Sequence, residues 1–193
     1  LCRSIGYEFN NLGLVETALT HRSAGSSNNE RLEFLGDAIL GFVIADYLYA
    51  NYPDADEGQL SRLRAGLVKG DSLAQIARKL ELGKFLNLGA GELRSGGHSR
   101  GSILADAVEA LFAAVYLDSG YKEARRVILQ LFADKLSPLS KKSQQNDPKT
   151  RLQELLQSQN NPLHTYTIIS ITGEHHEQFF TVSCQVDDLN LTT

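Results

Sequence analysis

Two short runs place five carboxylates at helical spacing. Glu30, Glu33 and Asp37 recur at i, i+3 and i+7 in Glu30-Arg31-Leu32-Glu33-Phe34-Leu35-Gly36-Asp37, so one helix face carries all three. Asp106 and Glu109 recur at i and i+3 in Asp106-Ala107-Val108-Glu109. Like charges stacked on one face repel, and a hard divalent cation held between two helices compensates them. Carboxylates and water are the ligands Mg²⁺ prefers. An acidic helix face is by itself an ordinary solvated surface. Against that reading, Glu33 is enclosed by Leu32, Phe34 and Leu35, and the second acidic pair lies on another strongly apolar helix.

Hydrolysis of a phosphodiester is one reaction that a cation held this way can serve. The substrate's own negative charge repels an attacking oxygen, water must lose a proton near neutral pH, and charge builds on the phosphoryl and leaving oxygens. A bound divalent cation answers these needs, and two helices supply part of its shell while leaving faces open. Whether one ion or two act stays open.

The elements that position these groups are mostly helices up to about Leu136. The first covers about Leu12 to Thr20. A long one follows the caps Asn28 and Asn29 and runs to Pro53, with Leu32, Leu35, Ile39, Phe42 and Val43 as its apolar stripe. Asp56 and Gln59 form a capping box for a helix through Val68, and Asp71 caps the next, to about Gly83. Gly89 to Gly101 reads as a mobile glycine-rich loop; Arg94 stands where a dinucleotide fingerprint needs its third glycine. Helices follow from Ser102 to Leu117, with Leu104, Val108, Leu111 and Val115 inward, and from Tyr121 to Leu136, before Pro138. Ser137 to Asn146 is polar and reads as a linker. Asp147-Pro148 then opens a helix carrying Leu152, Leu155 and Leu156 on one side. Two strand patterns close the chain, Thr165 to Thr172 and Gln178 to Val186. The second puts Phe180, Val182, Cys184 and Val186 on one face, with Gly173 to Glu177 as a hairpin loop.

The chain has 193 residues, 42% hydrophobic and 22% charged, enough for one substantial core and a smaller unit. It lacks a long apolar run or a secretory leader, so no membrane association is expected and the cytoplasm is the expected compartment. The start at Leu1 and the stop at Thr193 read as trimmed ends. Cys2 and Cys184 have no paired spacing for a disulfide or a zinc site, and Cys184 reads as a small core residue. The net charge of −4 argues against nucleic acid, yet Lys141, Lys142, Lys149 and Arg151 gather where the two halves join, and net charge does not exclude a basic stripe.

Asn29 to Asp37 (Asn-Glu-Arg-Leu-Glu-Phe-Leu-Gly-Asp) resembles the signature of bacterial ribonuclease III. So do Leu19-Thr20-His21-Arg22-Ser23 and the run Ser102 to Ala110, and from Asp147 onward the chain is similar to the first half of a double-stranded-RNA-binding domain. The resemblance implies an all-α, dimeric endonuclease domain over 1–137, a linker over 138–146, and a partial α+β (α-β-β-β-α) RNA-binding domain over 147–193 whose third strand and C-terminal helix are missing. It implies a Mg²⁺-dependent endoribonuclease, with Mn²⁺ as a substitute and no small-molecule cofactor. Such an enzyme cuts double-stranded RNA, including ribosomal RNA precursors and other structured transcripts, to 5′-phosphate and 3′-hydroxyl ends with short 3′ overhangs.

By residue-wise match, Glu33, Asp37, Asp106 and Glu109 hold the metal, Asp37 and Glu109 are most directly catalytic, and Glu30 is a supporting acid. Thr150, Gln153, Gln157 and His176 match positions that contact the minor grooves of duplex RNA, which suits recognition of A-form shape. Phe34, Leu35 and Gly36 fall where the long helix meets its twofold mate in a homodimer, Gly36 letting backbones approach. His21 reads as a structural histidine rather than a general base, and His175-His176 lacks zincin spacing. Two other functions fit the residues less well: a silent binder of duplex RNA, which has no need of the full acidic set, and a monomeric phosphohydrolase acting on small nucleotides.

Overall fold

A computed structural model describes residues 1–142, 156, 165–172, 178–186 and 191–192. The chain divides into two compact units, Leu1–Ser140 and Lys141–Thr193.

The first unit is helical: α1 (Cys2–Ile5), α2 (Leu12–Ala18), α3 (Glu30–Asn51), α4 (Glu57–Val68), α5 (Gly70–Lys79), α6 (Ala90–Arg94) and α7 (Gly101–Lys142). Two 3₁₀ turns, Leu82–Phe85 and Gly97–Ser99, flank α6. The core runs between α3 and α7. Leu40, Val43, Ile44 and Leu48 from α3 are buried with Leu104, Val108, Leu111, Phe112 and Val115 from α7. The predicted α3 stripe is displaced at one position, since Phe42 is 60% exposed and meets Tyr121, their ring centroids 5.7 Å apart. Leu40 and Ile44 take the inward place instead, as the 3.6-residue period carries the buried face around the helix.

Several local signals are realised. Asp56 accepts from the Gln59 N–H at 2.6 Å, and Gln59 returns a bond from the Asp56 N–H at 3.2 Å. Asp56→Ala removes this box and is expected to cost about 1 kcal/mol in denaturant unfolding; an unchanged midpoint would show the cap to be idle. Asn29 holds the N-cap position of α3 without a side-chain bond, while Asn28 Oδ1 accepts from the Glu30 N–H at 3.1 Å. Lys69, not Asp71, is the cap residue of α5, and Asp71 lies in the first turn, where a negative charge suits the helix dipole.

Two readings are corrected. The glycine-rich segment is ordered: α6 and the following 3₁₀ turn are tied by an Arg100–Glu92 ion pair and by Arg100 donating to Ser95 Oγ at 3.1 Å. Gly89 and Gly97 serve close packing: a Cβ on Gly89 would lie 2.1 Å from the Ser23 carbonyl oxygen, and one on Gly97 2.7 Å from Glu92 Cγ. The helical backbone also passes Pro138 to Lys142, into the stretch read as linker. Proline's fixed φ is helical, and its presence removes one backbone hydrogen bond without forbidding the turn. The true break in α7 is at Gly120 (φ 80°, ψ −177°), a conformation glycine alone adopts readily. Asp118 braces it, accepting from the Tyr7 hydroxyl and from the N–H groups of Asn10 and Asn11.

The second unit contains β1 (Thr165–Thr172), β2 (Phe179–Val186) and a short third strand, β3 (Leu191–Thr192), in the order β1-β2-β3. A third strand was expected to be missing; a two-residue strand is present, Val186 pairing with Leu191. β1 and β2 are antiparallel from Thr165↔Gln185 to Thr172↔Phe179, with a register shift between Ile168 and Ser170. β1 is exposed along its length, Val186 and Leu156 are buried, and Cys184 is half-buried rather than a core residue.

Candidate active site

The acidic site forms where the first turn of α3 meets the first turns of α7. Glu33 follows the Asn29 N-cap, its N–H bonded to the Asn29 carbonyl at 2.8 Å. Asp106 and Glu109 project from α7 one turn apart, as their spacing predicts. Each of Glu33, Asp106 and Glu109 offers a carboxylate oxygen, and the three oxygens lie within 4.8 Å of one another. Gly36 makes this approach possible. It is buried, and a Cβ there would fall 1.8 Å from the Glu109 carbonyl oxygen. The close contact expected of Gly36 at a twofold interface is therefore made inside one chain.

The three acids are half-buried and oppose one another's ionisation. Burial first, then the charges of Asp37, Asp106 and Glu33, push the Glu109 carboxyl up to about 8. Glu33 is raised by burial and by Asp106, Glu30 and Asp37, with Arg22 working the other way. Asp106 is raised by burial, against the lowering effect of His21 and Arg22. An all-oxygen donor set of mutually repelling carboxylates fits a hard divalent cation, whose charge reverses each of these shifts.

The remaining predicted residues fall as follows. Asp37 is exposed and stands outside the trio, acting on Glu33 and Glu109 through its charge. Glu30 is exposed and pairs with Arg22 at 3.4 Å. His21 is structural in its contacts: Nδ1 accepts from the Ser23 N–H at 3.2 Å and lies 2.8 Å from Ser23 Oγ. Phe34 is 81% exposed, whereas Leu35 is half-buried against the core. Thr150, Gln153, Gln157 and His176 lie outside the described residues. Sequence reasoning missed Arg22 as part of the site, and it missed Phe42 and Tyr49, which are exposed on α3 as Phe34 is. Their signal was an apolar spacing of eight and seven residues, out of phase with the buried stripe.

Residues 11–136 match the family model described as ribonuclease-III-like. The chain belongs to the ribonuclease III family. Residues 148–193 match the double-stranded RNA binding motif. Ribonuclease 3 of Vibrio atlanticus is 56% identical over 184 residues, which is 95% of this chain and 82% of the relative. Ribonuclease 3 of Shewanella sp. strain MR-7 is 54% identical, over 98% and 84% of the respective chains. The nuclease domain of ribonuclease III from Campylobacter jejuni superposes with a TM-score of 0.69 at 43% identity, covering 70% of this chain and 96% of that one. As a ribonuclease III, the protein is a double-strand-specific endoribonuclease whose second part binds double-stranded RNA, and its family is metal-dependent. Among the described residues, no helix is long and apolar enough to cross a membrane.

Proposed function

We propose that the site is a Mg²⁺ centre, with Mn²⁺ able to substitute, and that it cuts duplex RNA to 5′-phosphate and 3′-hydroxyl ends, in maturation of ribosomal RNA precursors and other structured transcripts in the cytoplasm. The observation that carries this reading is the convergence of Glu33, Asp106 and Glu109 across the Gly36 contact. When bound, the cation supplies a nucleophile at neutral pH and stabilises charge on the phosphoryl group. Glu33 from α3 and the Asp106–Glu109 pair from α7 hold it. Asp37, one turn beyond Glu33 and exposed, completes the catalytic set with Glu109.

The acting unit is a homodimer in which Phe34, with Leu35 beside it, packs against its twofold mate. The exposure of Phe34, Phe42 and Tyr49 along one helix supports this, because a ring left 81% exposed gains most from a partner. One Campylobacter structure is described in terms of a region involved in dimer formation of the nuclease domain. We take the domains as 1–137 and 147–193 joined by 138–146, a connection whose first residues, to Lys142, continue the α7 backbone, with Thr150, Gln153, Gln157 and His176 reading the minor groove.

The test is incubation of the full chain with a long RNA duplex, with and without Mg²⁺, followed by end-group analysis. Cleavage is expected with Mg²⁺ and not with chelator. Asp37→Ala should lower the rate by more than about 100-fold, beyond what losing an outer partner of a metal site costs, while duplex binding persists. Cleavage that ignores chelator, or an Asp37→Ala enzyme of normal rate, would overturn the assignment.

A further inference from the structure

Beside the acidic trio stands a guanidinium that works against it as a cation site. Arg22 Nη1 lies 3.4 Å from Glu30 Oε1, and the two side chains are 70% and 53% exposed. The same positive charge acts on both Glu33 and Asp106. An ion pair this exposed contributes roughly 0–1 kcal/mol to stability, so the fold gives little reason for it. Metal binding gives none, because a fixed positive charge repels an arriving cation. A cation on the rim of a cation site is suited to an anion that docks at the same place. Duplex RNA brings one with every phosphodiester.

Arg22 is also presented from an anchored segment. The His21 N–H donates to the Asn87 carbonyl at 3.0 Å, and the Asn87 N–H donates to Leu19 at 2.9 Å. The Gly89 N–H donates to Ser23 Oγ at 2.9 Å, and the Asn29 N–H donates to Thr20 at 2.9 Å. The short stretch bearing Arg22 is thus tied on one side to the segment before α6 and on the other to the start of α3. Among the described residues its guanidinium bonds only Glu30, on one edge, which leaves donors for a second, bidentate partner of carboxylate-like geometry.

We propose that Arg22 binds a backbone phosphate of the strand being cut, and that Glu30 is a positioning residue that orients the Arg22 guanidinium rather than a metal ligand. The proposal rests on the metal-site reading for the location of the cut, but its first test does not need metal. Full-length wild type, Arg22→Ala, Arg22→Lys and Glu30→Gln are compared for duplex RNA binding in chelator across a range of potassium chloride. Arg22→Ala should flatten the log–log salt slope by about 0.9, the loss of one phosphate contact. Arg22→Lys should keep the slope, since it keeps the charge.

In Mg²⁺, Arg22→Ala should raise KM about tenfold, the worth of one charge-assisted hydrogen bond, with kcat little changed. Arg22→Lys should lie between, having lost the fork, and Glu30→Gln should raise KM while keeping the salt slope. Arg22→Ala should also lower the Mg²⁺ concentration needed for half-maximal cleavage, because a repelling charge is gone. These opposite signs, weaker RNA and tighter metal, are what a merely structural arginine would not produce. An Arg22→Ala protein with wild-type slope and KM, or one needing more Mg²⁺, overturns the proposal. Failure of the wild type to cleave would sink the metal reading instead, and the salt-slope result would still decide the role of Arg22.

Discussion

Replacing Gly36 by alanine is expected to destabilise the nuclease unit by about 3 kcal/mol or more, at the upper end of overpacking costs. The added Cβ would lie 1.8 Å from the Glu109 carbonyl oxygen and 2.4 Å from its carbon. Both are backbone atoms of a helix, so no side-chain rotation relieves the clash. Helices α3 and α7 must move apart, and the movement separates Glu33 from Asp106 and Glu109. Loss of divalent-cation binding should therefore accompany the fall in unfolding midpoint, even in protein that remains folded. Gly66→Ala, in the interior of α4 with nothing within 4 Å of its added Cβ, is the control. It should be neutral or stabilising by roughly 0.5–1 kcal/mol, because alanine favours the helix. Equal midpoints for the two variants would mean that the α3–α7 contact is not as close as described.

Gly36 also marks the limit of what the chain discloses about itself. Its identity signals a close backbone approach, and the approach is there, made to a helix some seventy residues later in the same chain. Nothing local names that partner. The same ambiguity governs Gly89 and Gly97, where glycine reads as freedom and the fold uses it as a socket for Ser23 and Glu92. Periodicity disclosed far more. The carboxylates at i, i+3 on α7, the inward Leu104, Val108, Leu111 and Val115, the capping box at Asp56 and the limits of β1 all follow from patterns a few residues long. Phe42 escapes that logic because an apolar residue can face either the core or a partner, and period alone does not say which. Asp37 separates from the trio for a similar reason. Seven residues bring it back to the face of Glu30, and like Glu30 it is exposed, whereas Glu33 is half-buried beside α7.

Glu109→Gln is expected to lower cleavage by more than about 100-fold, a larger loss than outer partners of a metal site produce, and at the same time to relieve a pH-dependent weakness of the metal-free fold. The Glu109 carboxyl titrates near 4.5 when unperturbed and at about 8 in the folded chain. Between those values the unfolded chain has released the proton and the folded chain still holds it. The stability that Glu109 contributes in chelator is then full below about pH 4.5, is lost as pH rises toward about 8, and is gone above that. Glu33 and Asp106 are raised as well and act with the same sign. Glutamine cannot ionise, so the decline should shrink without vanishing, and above pH 8 the variant should melt higher than the wild type in chelator. A divalent cation reverses the order. It requires ionised ligands, its binding releases protons, and the stabilisation it gives the wild type should grow across the same window while the variant gains less. Melting curves at pH 5, 7 and 9, with chelator and with Mg²⁺, separate these cases. A wild-type midpoint that climbs with pH in chelator would mean that the three acids do not crowd one another. In that case the metal would be deprived of the electrostatic strain that draws it to the site.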